Sequence, residues 1–83
     1  MRIPRDLSGS ELVRALAVLG YSVTRQTGSH LRLTTAERGE HHVTVPKHDD
    51  LRLGTLSAIL SDVAEHLGMG GADLVERLFG GSP

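Results

Sequence analysis

Five histidines, His30, His41, His42, His48 and His66, are the side chains of this sequence best suited to proton chemistry. An imidazole with an ordinary pKa of roughly 6.5 takes or gives a proton near neutral pH. His30 stands out by its neighbours. In "QTGSHLRLTT", a Gly28-Ser29 turn leads straight into His30, and Arg32 follows at strand spacing. Residues two apart on a strand share a face. A histidine beside an arginine, at a sharp turn and free of carboxylates, is a better candidate for a phosphate-facing catalyst than a lone exposed histidine. Ser29 and His30 are neighbours on a strand and diverge, which argues against a serine–histidine nucleophile pair.

Other chemistries find little support. There is no cysteine, so disulfides, thiol catalysis and thiolate zinc sites drop out. His41 and His42 are adjacent and would point to opposite faces of a strand. No HExxH segment and no pair of histidines at i, i+4 occurs, so no metal site is expected and no cofactor is called for. Phosphate-cradling glycine loops and nucleophile elbows are absent. "VPKHDD" offers Lys47 and His48 close behind a strand, where either could flank His30.

The elements that must position these groups follow from periodicity. "LSGSELVRALAVLGY" opens with Ser8 and Glu11 at capping-box spacing. Leu12, Val13, Leu16 and Leu19 continue at helical intervals, and Gly20 suits a left-handed stop. "YSVTRQ", "HLRLTT" and "HHVTVP" alternate as three strands joined by short polar turns, which predicts an antiparallel meander. A second helix carries Leu56, Ile59, Leu60, Val63 and Leu67, with Thr55 as expected cap and Gly68 as stop. "GGADLVERLFGG" predicts a short third helix with Leu74, Val75 and Leu78 on its buried side.

A three-stranded sheet with one apolar face needs helices over that face only. The fold class expected is therefore α+β: helix, three-stranded antiparallel sheet, helix, with a short C-terminal helix or tail over 69–83. One domain spans 1–83, with its core over about 8–68. Alternation puts Leu31, Leu33, Val43 and Val45 inward, and leaves His30, Arg32, Thr34, His42 and Thr44 on the open side. On the first strand it gives Ser22, Thr24 and Gln26 to the open side. A register pairing Val23 with Leu33 sets Gln26 opposite His30 and Thr24 opposite Arg32. Arg25 then falls on the inward side and would have to reach around the sheet edge. Pro46 falls opposite His30. No acid is expected on the open face.

With 83 residues, folding buries roughly 60–65% of the chain's surface, enough for one modest core. Tyr21 and Phe79 are the only aromatics, which nearly rules out base-stacking platforms. The net charge is −1, against the pattern of a strong nucleic-acid binder. Charge is uneven, though. Arg2, Arg5, Arg14, Arg25 and Arg32 face only Asp6 and Glu11 over residues 1–35, whereas Asp62, Glu65, Asp73 and Glu76 oppose Arg77 from Leu56 onward. One face can be basic on a nearly neutral molecule. No apolar leader or membrane-length run is present, so a cytoplasmic protein is expected.

"GYSVTRQTGSHLRL" followed by "VTVPKHDDLRLGTLSAIL" resembles the HicA-type toxins, mRNA interferases of toxin–antitoxin systems. The likeness runs from about Ser8 to Gly68. It rests on Gly20-Tyr21, Gly28-Ser29-His30, Val45-Pro46-x-His48 and Gly54-Thr55-Leu56, in that order. The resemblance implies a double-stranded-RNA-binding-domain-like fold. It implies ribosome-independent cleavage of mRNA, with the GSH histidine, His30 here, essential. It also implies a HicB-type antitoxin that covers the His30 face. The expected chemistry is metal-independent endoribonuclease cleavage with His30 as general base. Arg32 is the first candidate for phosphate contact, with Ser29, Lys47, His48 and Arg25 as further RNA-binding candidates and His48 also a possible acid. The competing expectation is a non-catalytic RNA-binding or protein-interaction module of the same fold.

Overall fold

The computed structural model describes residues 3–80; Arg2 and residues 81–83 of the expected tail lie outside it. Its elements run α1 (Gly9–Ala17), β1 (Ser22–Thr27), β2 (His30–Thr35), β3 (His41–Pro46), α2 (Leu53–Leu67) and α3 (Gly71–Phe79). The strands form one antiparallel sheet in the order β1-β2-β3, the meander expected from the alternation.

Local chemistry sets the boundaries of α1. Ser8 Oγ accepts from the Glu11 amide at 3.0 Å, and Glu11 Oε1 accepts from the Ser8 amide at 2.9 Å. This reciprocal box satisfies two amides that a helix start leaves without partners. Those bonds also hold the Glu11 carboxyl below the usual carboxylate range, the Ser8 backbone amide contributing most. Gly20, at φ 87°, turns the chain into β1. Gly68, at φ 67°, closes α2 the same way. Thr55 does not cap α2. The helix starts earlier, at Leu53, behind Arg52, and no side chain caps it.

The core is one aliphatic cluster. Leu12 and Leu16 of α1, Leu33 and Val45 of the sheet, Leu56 and Val63 of α2 and Leu74 of α3 are essentially sealed from solvent. The helices cover one face of the sheet, and α3 packs against α1 and α2. The opposite face carries His30, Arg32 and Thr44, all exposed. At 45% exposure, Val23 is only partly covered, because β1 is an edge strand with little above it.

The segment behind β3 is held by α1. The Gly9 amide donates to the His48 carbonyl at 2.8 Å, and the Leu51 amide to the Leu7 carbonyl at 2.8 Å. A side chain at Gly9 would run into the Pro46 carbonyl, with Lys47 Cα also at 3.1 Å. Glycine is what lets α1 lie this close to the exit of β3.

His41 and His42 part to opposite faces, as adjacent strand residues must. His41 turns inward. Its Nδ1 lies 2.7 Å from the Tyr21 hydroxyl and its Nε2 3.1 Å from Asp62 Oδ1 of α2. A carboxylate only accepts, so the neutral ring carries its hydrogen on Nε2 and Tyr21 donates to Nδ1. Burial, and then the Asp62 charge, push the Tyr21 phenol up to about 12. The His66 ring stacks on His41, with centroids 4.3 Å apart and planes 9° from parallel. His66 Nε2 donates to the Glu37 and Gly39 carbonyls at 2.8 and 3.1 Å, tying the β2–β3 loop to α2.

Candidate active site

The turn before His30 has two residues, as the Gly28-Ser29 pair suggested. Thr27 pairs with His30, leaving Gly28 and Ser29 as the two turn residues. Gly28 sits at φ 59° in the first central position, the pattern of a type II′ hairpin turn. The turn makes His30 the first residue of β2 and aims it onto the open face. Across the sheet His30 pairs with Pro46, as the alternation requires. The ladder runs one step further, because the Lys47 amide donates to the Ser29 carbonyl at 2.6 Å.

The first strand departs from simple alternation. Between Val23 and Arg25 the register slips by one residue, a β-bulge at Thr24. Val23 still pairs with Leu33, but beyond the bulge Arg25 pairs with Arg32, Gln26 with Leu31 and Thr27 with His30. Residues paired across antiparallel strands share a face. Arg25 therefore stands on the open face beside Arg32, rather than inward, and Thr27, rather than Gln26, lies opposite His30. The physical reason is plain: unbulged alternation would aim a guanidinium at an aliphatic core, where an unpaired charge is costly. One extra residue in the strand reverses it.

Arg25, Thr27, His30, Arg32 and Thr44 together line a shallow depression of about 360 Å³ on the sheet. It holds two guanidinium groups and an imidazole, and no acid lines it. Two cations side by side repel each other unless an anion lies between them, so the depression favours a phosphate. Ser29, Lys47 and His48 do not line it. Ser29 belongs to the turn, Lys47 follows the end of the ladder, and the carbonyl of His48 is committed to Gly9. The structure thus brings together His30, Arg32 and Arg25, and leaves the other candidates outside that depression.

The open face is not free of acid throughout. At its far end Glu40 Oε2 lies 2.8 Å from His42 Nε2. The expectation of an acid-free face fails here because Glu40 sits in the loop just before β3. At i−2 it nevertheless reaches the same side as His42. The half around His30 is unaffected. Among the described residues no three His, Asp or Glu side chains gather as a metal ion would require.

The α1–β1–β2–β3–α2 order, with both helices on one face of the sheet, is the expected helix–sheet–helix architecture, extended here by α3. Fold and open-face histidine thus define a small α+β domain with a phosphate-suited face. Residues 9–68 match the family model of the HicA toxin of bacterial toxin–antitoxin systems. The match covers most of the chain, and the protein belongs to that family: it is the toxin of a toxin–antitoxin pair, with an antitoxin partner. No curated protein and no solved structure matches it. Among the described residues no helix is long and apolar enough to cross a membrane.

Proposed function

We propose that the protein is a metal-independent endoribonuclease that cleaves mRNA at the His30 depression. The observation that carries this reading is the grouping of His30 with Arg25 and Arg32 in a depression lined by no acid. RNA carries its own nucleophile. His30 takes the proton of a ribose 2′-hydroxyl, and the 2′-oxygen attacks the adjacent phosphorus. The phosphorus–5′-oxygen bond breaks, the leaving 5′-oxygen is protonated by water, and His30 returns its proton to the solvent. The products are a 2′,3′-cyclic phosphate and a 5′-hydroxyl. Arg25 and Arg32 are set to hold the charge that grows on the phosphorane oxygens. A HicB-type antitoxin would silence the toxin by covering this face, since the face is flat and the catalyst is exposed. The site of action on this reading is the cytoplasm, where mRNA and antitoxin are found together.

The test is end-group analysis of RNA treated with purified protein, alongside His30→Ala. A 2′,3′-cyclic phosphate end is expected, with a rate loss of about 10²–10⁴ in the variant. A 5′-phosphate product, or an undiminished rate in His30→Ala, refutes the mechanism. RNA binding without any cleavage would mark a non-catalytic module of the same fold.

A further inference from the structure

The far half of the open face carries a second polar device. Thr24, Thr34, His42 and Glu40 form a continuous hydrogen-bond chain across all three strands. Thr24 Oγ1 and Thr34 Oγ1 are 2.8 Å apart, Thr34 Oγ1 is 2.7 Å from His42 Nδ1, and His42 Nε2 is 2.8 Å from Glu40 Oε2. The direction of every proton follows from the carboxylate end. Glu40 only accepts, so in the neutral imidazole Nε2 carries the hydrogen and Nδ1 accepts from the Thr34 hydroxyl. Thr34 Oγ1 then accepts from Thr24, whose other inward acceptor is the Arg32 carbonyl at 3.4 Å.

Each hydroxyl has one hydrogen and two lone pairs. Both hydrogens are committed inside the chain, so what Thr24 and Thr34 turn outward is acceptor capacity. The Glu40 carboxylate, 73% exposed, adds more of the same. A phosphate brings only acceptors and is disfavoured here. The two halves of the face therefore differ in sign. The His30 half takes an anion, and the Thr24–Thr34 half takes hydrogen-bond donors. Both halves lie on one continuous strip of the sheet face, along β2. Thr34 lies four residues beyond His30 on β2, roughly 13 Å along the strand. Thr24, in the bulge opposite Arg32, is nearer still.

We propose that Thr24, Thr34 and His42, polarised by Glu40, form a subsite that accepts hydrogen bonds from the nucleotide next to the cleaved one, and so selects the cleavage site. The inference rests on the endoribonuclease reading. The donors a nucleotide offers are base amino or imino N–H groups and the 2′-hydroxyl. The bulge joins the two halves, since it brings Arg25 onto the face that Thr24 already shares with Thr34.

The test uses short oligoribonucleotides with a mapped cleavage site. Near that site, single 2′-deoxy substitutions and single base replacements lacking an amino group (inosine for guanosine, purine riboside for adenosine) separate ribose from base donors. At one neighbouring position the wild-type kcat/KM is expected to fall roughly 2- to 13-fold when the donor is removed. Thr34→Val and Thr24→Val should lose that discrimination. Glu40→Ala has a signature of its own. Without the carboxylate His42 can carry its hydrogen on Nδ1, the Thr34 hydroxyl is freed to point outward as a donor, and the preference for donors disappears. If wild type and Thr34→Val show the same ratios for every substitution, the subsite is refuted. His30→Ala cutting at the wild-type rate would refute the catalytic reading instead. Binding of the same oligonucleotides to the His30→Ala protein then decides the subsite alone, equal affinities overturning it.

Discussion

Gly9→Ala should destabilise this protein, although helix propensity says the opposite. Alanine is the better helix former by about 1 kcal/mol. At Gly9, however, the added methyl would overlap the Pro46 carbonyl and press on Lys47 Cα at 3.1 Å. Both are backbone, so no flexible side chain can swing away. The start of α1 must move off β3, and overpacking of this kind costs about 1–3 kcal/mol. The Gly9–His48 hydrogen bond, 2.8 Å long, stretches with it, at about 1 kcal/mol. Set against the propensity gain, the net loss is about 1–3 kcal/mol. A domain this size loses roughly 4–8 °C of Tm per kcal/mol. Gly54 supplies the control within the same chain. It lies in α2, and a methyl there meets nothing within 4 Å. Gly54→Ala should therefore gain up to about 1 kcal/mol. Paired urea titrations and thermal melts of the two variants read the difference directly. A Gly9→Ala protein as stable as wild type would refute the reasoning. Because Pro46 is the cross-strand partner of His30, RNA cleavage should fall with stability at position 9 and stay level at position 54.

Arg25→Ala should weaken RNA binding and flatten its salt dependence, the log–log slope dropping by about 0.7 for one lost contact to a single strand; binding titrations at several salt concentrations check it. Leu→Ala at Leu33, sealed in the core, should cost about 2–5 kcal/mol in urea unfolding. Tyr21 gives a pH signature. Its phenol is raised from 10.0 to about 12, so the native state holds that proton more tightly than the unfolded chain. The stabilisation is complete below pH 10 and disappears as pH climbs toward 12, a change of about 2–3 kcal/mol. Unfolding followed over that range should show the slope in wild type and lose it in Tyr21→Phe.

β2 and β3 could be read from sequence because their alternation is driven by a buried face. Leu31, Leu33, Val43 and Val45 have nowhere else to go. The capping box at Ser8 and the glycine stops at Gly20 and Gly68 are local, and local patterns survive in a structure. β1 was legible only as far as Val23. A bulge breaks a period of two without changing composition, and Thr24 carries no mark of it. The clue was the arginine: Arg25, assigned to an aliphatic core with no acid beside it, signalled that the register had to slip. Thr55 is a good capping residue, yet α2 begins before it, because Leu51 and Leu56 fix the approach of the chain. Asp62 and His41 are far apart in sequence, so their meeting with Tyr21 had no local sign. Glu40 lies outside β3, yet its spacing from His42 puts both side chains on one side.

The meander also shapes how the molecule assembles. Each strand pairs only with its neighbour in sequence, so the hairpin bearing His30 closes across two turn residues, a step of about 1–10 μs. The long-range closures come from the other side, where Leu7 and Gly9 reach Leu51 and His48. The His30–Arg25–Arg32 group is thus drawn from the most local strand pairing in the sheet, while the backing behind it depends on contacts about forty residues apart in sequence. A new chain leaving the ribosome carries the His30 hairpin well before α2 exists to support it. On the reading of His30 as the catalyst, activity should wait for that later helix, so a chain cut short before Leu53 should show none.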